Sequence, residues 1–505
     1  MSFSKKVFRS GLSNILLNVV NMLIGLGLAP FVVHTLGDVQ NGYWVIARMV
    51  FGYYGFVDFG VGLSIARFLS LSVGKKDHTE AKKIVQTGLA FILSIDALFL
   101  ILCVAAYFGI GNLNFSGDKK LVQDLVLIVG FSILVILPGR VFAGVLTAHI
   151  RQDIIAWIGI LNSVIRAILI VSFLSFGFGV RSLAIISGFI ALLSSLLYYL
   201  TARRFMKNFQ LYIPAFDKKV FSFLFKYGFS ISLASVSDII RWGAAPLIAA
   251  TFFGAAFVTH FNVALSLGRY GVALIASSFI VMMPVFGQLV GIGDTKKLKR
   301  IFFQTLNLTI LISVFMFGGL IVLGENFIGN WMGIEYQDAY PALALISCGL
   351  MIALMQNPIV TLMQGMGLAK IYAITNGAEA VLNVILCMIL GRYGMIGFGL
   401  AFGVPMIIIK LFVQPWIILS KTGWSLKEFY AKFLSRFLRC LIGLIASAGI
   451  ILFVNIGSGW ILFLIKGLTY TFVYGIITLV FIMKKEERIN ISSRLHHFLP
   501  TKKQP

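Results

Sequence analysis

Charge is what this chain has least of. Asp, Glu, Lys and Arg make up 12% of its 505 residues, about half the share usual in a soluble domain, and that excludes an ordinary soluble enzyme. A mean hydropathy of +0.96 equally excludes a disordered chain, which goes with low hydropathy and high charge. Cysteine is scarce: Cys103, Cys348, Cys387 and Cys440 stand singly in or beside apolar runs, so neither a disulfide framework nor a zinc site can be built from them. There is no GxxxxGK[ST], which excludes ATP hydrolysis through a P-loop of the chain's own. No stretch between apolar runs is long enough for a catalytic domain, and Glu325, Glu335 and Asp338 fall in a short loop where solvation accounts for them. The sequence predicts no enzyme, no catalytic group, no metal and no cofactor.

What the chain does have is long apolar runs. A spanning helix needs about 20 apolar residues. Such runs fall at 11–34, 41–72, 84–110, 124–147, 153–178, 183–204, 221–252, 256–288, 301–324, 341–364, 371–391, 397–420, 436–456 and 461–483. The expectation is an all-α polytopic membrane protein of about fourteen transmembrane helices. The first run, behind Lys5, Lys6 and Arg9, is too long for a signal-peptide core and reads as a retained span. The formal charge of +24 does not indicate nucleic acid, because the cations sit in short clusters between runs. With the N-terminus inside, thirty of the 42 cations fall in inner segments and only Lys119, Lys120, Arg181 and Arg392 in outer ones. The excess of inner Lys and Arg orients both termini to the cytoplasm.

An internal repeat organises these spans. Phe8-Arg9-Ser10-Gly11 aligns with Phe225-Lys226-Tyr227-Gly228, Leu36-Gly37 with Phe253-Gly254, and Phe51-Gly52-Tyr53-Tyr54-Gly55 with Leu267-Gly268-Arg269-Tyr270-Gly271. Lys82-Lys83-Ile84-Val85-Gln86-Thr87 aligns with Lys299-Arg300-Ile301-Phe302-Phe303-Gln304-Thr305, one residue being inserted. Six spans separate the copies, so both have the same orientation, which predicts two pseudo-symmetric lobes around a central cavity. The expected layout is a six-helix lobe at 1–218, a second at 219–430, two additional helices at 431–483 and a basic cytoplasmic tail at 484–505.

Eight cations remain inside spans: Arg48, Arg67, Arg140, Arg166, Arg241, Arg269, Lys410 and Lys466. Against them stand four acids, Asp58, Asp96, Asp238 and Glu379. A central charge costs about 2.5–3.5 kcal/mol to insert, so these groups face one another or a watery cavity. Cations outnumber acids, and a cavity with surplus positive charge suits an anion. Arg67, Lys466 and Arg48 can also snorkel to an interface. Arg140, Arg166, Arg269 and Lys410, with Arg48 and Arg241, are the expected anion ligands. Asn14, Asn18 and Asn21 share one face of the first span and are expected to join them. Asn376, Glu379 and Asn383 share a face of the eleventh, and Asn162 one of the fifth with Arg166. Each stripe reads equally as interhelical hydrogen bonding. Asp238 and Arg241 are an i,i+3 pair, whereas Glu379 has no cation near it in sequence; Glu379, Asp58 and Asp238 are the candidates for ion coupling. Asp96 receives no role.

Leu36-Gly37, Tyr43-Trp44, Asp58-Phe59-Gly60-Val61-Gly62 and Arg67 resemble the N-terminal pattern of polysaccharide transporters. These are the O-antigen and capsule-unit flippases of the multidrug/oligosaccharidyl-lipid/polysaccharide exporter superfamily. The resemblance implies a two-lobed bundle in the bacterial cytoplasmic (inner) membrane. By alternating access it would move a polyprenyl-diphosphate-linked glycan, an O-antigen or capsule repeat unit for lipopolysaccharide or capsule, from the inner to the outer leaflet. Coupling to H+ or Na+ is implied as in several members, and polysaccharide polymerase machinery as a partner. Two other classes stay open. An ion-coupled drug or cation antiporter of the same superfamily would favour an acidic, aromatic cavity, and a non-transporting scaffold of a polysaccharide-synthesis complex would not require buried charge.

Overall fold

The computed structural model describes residues 3–52, 60–75, 77–112, 118–205, 215–279, 282–454 and 459–483. Every regular element among them is a helix, as the composition requires: in a bilayer the backbone must satisfy its own polar groups. Seven elements precede residue 203: α1 (Phe3–Leu36), α2 (Asp38–Gly52), α3 (Val61–Lys75), α4 (His78–Asn112), α5 (Lys119–Ala148), α6 (Gln152–Ser175) and α7 (Val180–Ala202). Then follow α8 (Lys218–Phe279), α9 (Met282–Ile292), α10 (Thr295–Trp331), α11 (Tyr340–Met355), α12 (Asn357–Gly365), α13 (Ala369–Leu390) and α14 (Gly394–Ile407). A π-helical segment, Ile408–Val413, leads into α15 (Gln414–Thr422), followed by α16 (Leu426–Leu452) and α17 (Gly459–Ile477), and a second π-helical segment, Thr478–Ile482, ends the described helices. Eleven stretches among the described residues are long and apolar enough to cross a membrane, so the protein is a multi-pass membrane protein.

Several expected runs are not straight helices. The run at 41–72 is two helices, α2 and α3, with Gly60 at φ +63° just before α3. The run at 341–364 breaks at Gln356, ahead of Pro358, which cannot donate a backbone hydrogen bond. By contrast α8 is two helices meeting at Gly254, whose φ +80° and ψ −176° are not helical, and that break lies between the runs expected at 221–252 and 256–288.

The repeat recurs in the backbone at a constant spacing of 217 residues. Gly37 and Gly254 take φ +77° and +80°, Ile150 and Gly367 +57° and +76°, and Gly177 and Gly394 +83° and +65°. A left-handed φ at a non-glycine residue is uncommon, so its recurrence at Ile150, where the partner is glycine, marks a shared turn. Asp77 accepts from the Glu80 amide at 2.9 Å and Asp294 from the Lys297 amide at 2.9 Å, equivalent N-caps opening α4 and α10.

The chain groups into two compact units, Met1–Ser266 with Ala373–Ala401, and Leu267–Tyr372 with Phe402–Pro505. In the first, α5 lies among α3, α4 and α7, and α1 packs along α6. Ile65, Leu69, Val85, Ile92, Val141 and Val145 fill its centre. In the second, α10 packs against α11, α16 and α17. Gly349 on α11 and Gly403 on α14 meet backbone to backbone, leaving no room for a Cβ at either. Tyr470 and Tyr474 of α17 donate to the carbonyls of Phe315 and Leu311 on α10.

Candidate functional site

In the first unit, α2 carries Arg48 and α6 carries Arg166, both exposed. Their guanidiniums lie within electrostatic range of each other, and Arg48 sits 5.9 Å from the centroid of the Trp44 ring. Two like charges within electrostatic range repel, and an anion between them would relieve that repulsion. Arg140, half-buried on α5, is placed where α3 passes close by: a Cβ at Gly62 would lie 3.2 Å from the Arg140 carbonyl.

Arg241 on α8 does something different. Its guanidinium bonds both Asp238, one helical turn back, and Glu379 on α13. Glu379 is fully buried while the Asp238 side chain is 48% exposed. Glu379 has no cation near it in sequence, and helix packing brings Arg241 to it across 138 residues. The cluster carries two negative charges and one positive, so Arg241 is committed to acids and is not a surplus cation.

The asparagine stripes are mainly interhelical bonds. Asn14 donates to Gln152 at 3.4 Å, and Asn21 accepts from Ser163 at 2.5 Å, tying α1 to α6. Asn18 is half-buried on the same face. Asn162 turns from Arg166 to donate to Ser194 on α7 at 2.6 Å. Asn376 is buried beside Glu379 on α13, and Asn383 donates to the Ala401 carbonyl at 2.9 Å.

The second unit holds Arg269 and Lys410. Arg269 is half-buried on α8, between Gly268, whose Cβ position lies 3.0 Å from Leu350, and Gly271, whose Cβ position lies 2.9 Å from Phe317. Lys410 is 5% exposed, and its ammonium lies 5.4 Å from the centroid of the Tyr372 ring. It sits in the π-helical segment Ile408–Val413. An extra residue per turn re-aims the side chains around it, which is why such segments recur at functional positions.

Asp58 lies outside the described residues. Asp96, given no role, is buried in α4, and its Oδ1 has no hydrogen-bond partner among the described residues. Arg436, the first residue of the run at 436–456, is buried in α16 and donates to the Ile482 carbonyl. Sequence reasoning also missed a polar contact between α2 and α8 involving Asp38, Asn41, Thr259 and His260; the aligned glycines before both segments were its only signal. No group of three or more His, Cys, Asp or Glu able to hold a metal occurs among the described residues.

Comparisons with known proteins give a consistent picture. The family described as "Polysaccharide biosynthesis protein" matches residues 7–290. A putative O-antigen transporter of Shigella flexneri is 22% identical over 81% of this chain and 97% of its own. The uncharacterized membrane protein EpsK of Bacillus subtilis (strain 168) is 20% identical over 94% of this chain and 95% of its own. Among solved structures, the lipid II flippase MurJ in an inward closed conformation superposes with TM-score 0.68 at 17% identity, covering 95% of this chain and 98% of that one. An inward-facing multidrug resistance MATE family transporter of the MOP superfamily gives TM-score 0.67 at 16% identity, covering 82% and 99%.

Proposed function

Because the chain belongs to the polysaccharide biosynthesis protein family and has the fold of MOP-superfamily transporters, we propose that it is a flippase for a polyprenyl-diphosphate-linked oligosaccharide. The glycan is an O-antigen or capsule repeat unit, moved from the cytoplasmic to the outer leaflet of the bacterial inner membrane by alternating access. Both termini are cytoplasmic in this reading, and the spans form two six-helix lobes, at 1–218 and 219–430, followed in sequence by two additional helices at 431–483. A count of fourteen follows if Gly254 divides α8 into two spans, Gly394 separates α13 from the α14–α15 span, and α2 with α3 forms one more.

The observation that carries the reading is the pairing of like charges at Arg48 and Arg166. A diphosphate supplies fixed negative charge, and guanidinium grips phosphate oxygens through paired, charge-assisted hydrogen bonds. Arg140, Arg269 and Lys410 add positive charge elsewhere along the route. A drug or cation antiporter would be poorly served by this excess, and the polyprenyl tail need never leave lipid. No covalent step is required of the protein.

The test is lipid-linked intermediates in a strain lacking the chain, complemented with variants. Native protein should restore glycan at the outer surface. Arg48→Gln with Arg166→Gln should leave the lipid-linked unit on the cytoplasmic leaflet at normal protein level. Arg166→Lys should restore export only in part, since an ammonium cannot reproduce the two-pronged grip. Full export by the doubly neutralised protein would remove the assignment.

A further inference from the structure

The equivalent turns of the two repeat copies, built around Gly37 and Gly254, do not merely resemble each other: they touch. Asn41 Nδ2 donates to Thr259 Oγ1 at 3.2 Å, and Thr259 Oγ1 donates to the Asp38 carbonyl at 2.7 Å. The His260 ring nitrogen lies 3.4 Å from the Asp38 carboxylate. Asn41 and Thr259 are buried. A Cβ at Gly42 would overlap the Ala255 carbonyl, so here backbone rests on backbone. The 217-residue spacing makes Asp38 the counterpart of Ala255, and Gly42 the counterpart of Thr259. The Gly42–Ala255 contact and the Asp38–Thr259 contact are therefore the same contact exchanged by the repeat. A self-complementary crossing of this kind lies on the pseudo-two-fold axis itself.

At this end of the bundle the inner cation clusters are absent, and the proposed orientation places it outside. We propose that the crossing is a latch holding the outer end of the first two repeat-related helices together, and that protonation of His260 sets its strength. With the ring neutral, His260 and Asp38 share at most one hydrogen bond; with the ring charged, they form an ion pair. An imidazole ordinarily titrates near neutral pH, so acid outside tightens the latch and alkali loosens it. The fixed part, Asn41 with Thr259 and Gly42 with Ala255, is uncharged and sets the register.

Other charged groups lie at the same end of the helices packed around α2. They are His34 on α1, Lys119, Lys120 and Asp124 on α5, and Arg181 on α7; Arg392 follows α13. Arg181 is paired with Asp124 at 2.8 Å, and Arg392 lies over the Tyr393 ring. Of the contacts described at this end, His260–Asp38 is the one that joins the two repeat copies with a titratable pair. In the transport cycle Asp38, Asn41, Thr259 and His260 are positioning residues: they touch each other, and act on the substrate only through the state of the opening. The inference deepens the flippase reading and rests on it for its purpose, but its test needs no substrate.

Spin labels at Val39→Cys and Thr251→Cys, both exposed positions flanking the crossing, report the separation of the two turns. The four native cysteines are replaced by Ala, and the protein is placed in phospholipid vesicles free of glycan lipid. Between pH 5.5 and 8 the ratio of long to short distances should rise about two- to fivefold, the range expected for a partly exposed ion pair. His260→Gln should hold one ratio across that range. Gly42→Ala, whose added methyl collides with the Ala255 carbonyl, should show mainly the long distance at every pH. An unchanged ratio in the native protein, an equal pH response in His260→Gln, or native distances in Gly42→Ala would each overturn the latch. Any of these results leaves the flippase reading standing, since that is decided by where the lipid-linked glycan accumulates.

Discussion

Individual charges in this protein take their meaning from partners the sequence does not place beside them. Arg241 illustrates the point. Its i,i+3 pairing with Asp238 was readable from spacing, but its second carboxylate, Glu379, comes from a helix 138 residues away. Breaking a buried pair leaves a charge with no counterpart, at a cost of about 3–5 kcal/mol, whereas replacing both members by apolar residues is often nearly neutral. Arg241→Leu, which takes the guanidinium away from fully buried Glu379, should therefore lower thermal stability in detergent sharply, and Arg241→Leu with Glu379→Leu should recover much of the loss. Equal losses in the single and double variants would show that the pair contributes nothing beyond its separate members. The asparagines teach a similar lesson. Asn14, Asn21 and Asn162 fall on the faces expected of them, yet these faces meet neighbouring helices. Periodicity identifies a face but is silent on whether protein or cavity lies opposite.

Among helices, the apolar runs were legible because a bilayer admits little else, and their order and approximate limits recur in α1 to α17. Departures from straight helices were not legible where they depend on a neighbour. The break at Gly254 was legible, since the apolar runs expected at 221–252 and 256–288 stop and restart around it; that Gly60 opens a new helix inside the single run at 41–72 was not. The π-helical segment at Ile408–Val413 carries no sequence signature of its own, since Pro405 and Pro415 flank it without specifying it. Glycine at Gly349 and Gly403 is explained only by the crossing they form. A methyl group there must push two helices apart, and overpacking of this kind typically costs about 1–3 kcal/mol. Gly403→Ala should lower the melting temperature, while Gly449→Ala, where nothing lies within 4 Å of the added carbon, should leave it unchanged. A melting temperature unchanged or raised in Gly403→Ala would mean that the helix preference for Ala over Gly outweighs the crossing.

At the scale of the whole molecule, the two repeat copies share a backbone plan but differ in charge. At the 217-residue spacing, Asp238 and Glu379 of the second copy correspond to Asn21 and Asn162 of the first, and Arg241 to Ile24. The first copy thus has neutral amides where the second has two acids and one guanidinium, a cluster one positive charge short of neutrality. We propose that one H+ or Na+ fills that deficit, which makes the cluster the place to seek ion coupling. The two acids are not equivalent in this respect. Glu379 is fully buried and fixed against Arg241, whereas Asp238 is half exposed, so an incoming cation reaches Asp238 first. The sequence favoured Glu379 because it lacked a nearby cation; the exposure of the Asp238 side chain is an argument for testing Asp238 first. In proteoliposomes carrying the lipid-linked glycan, flipping by the native protein should respond to an imposed pH or sodium gradient. Asp238→Asn makes the cluster neutral without any added ion, and should retain flipping while losing the response to the gradient. Glu379→Gln also cancels the deficit, but it weakens the fixed partner of Arg241, so it should reduce flipping itself. If native flipping ignores both gradients, the cluster is an internal ion pair and nothing more. If it responds and Asp238→Asn responds equally, coupling resides elsewhere, and Asp58 becomes the acid to examine.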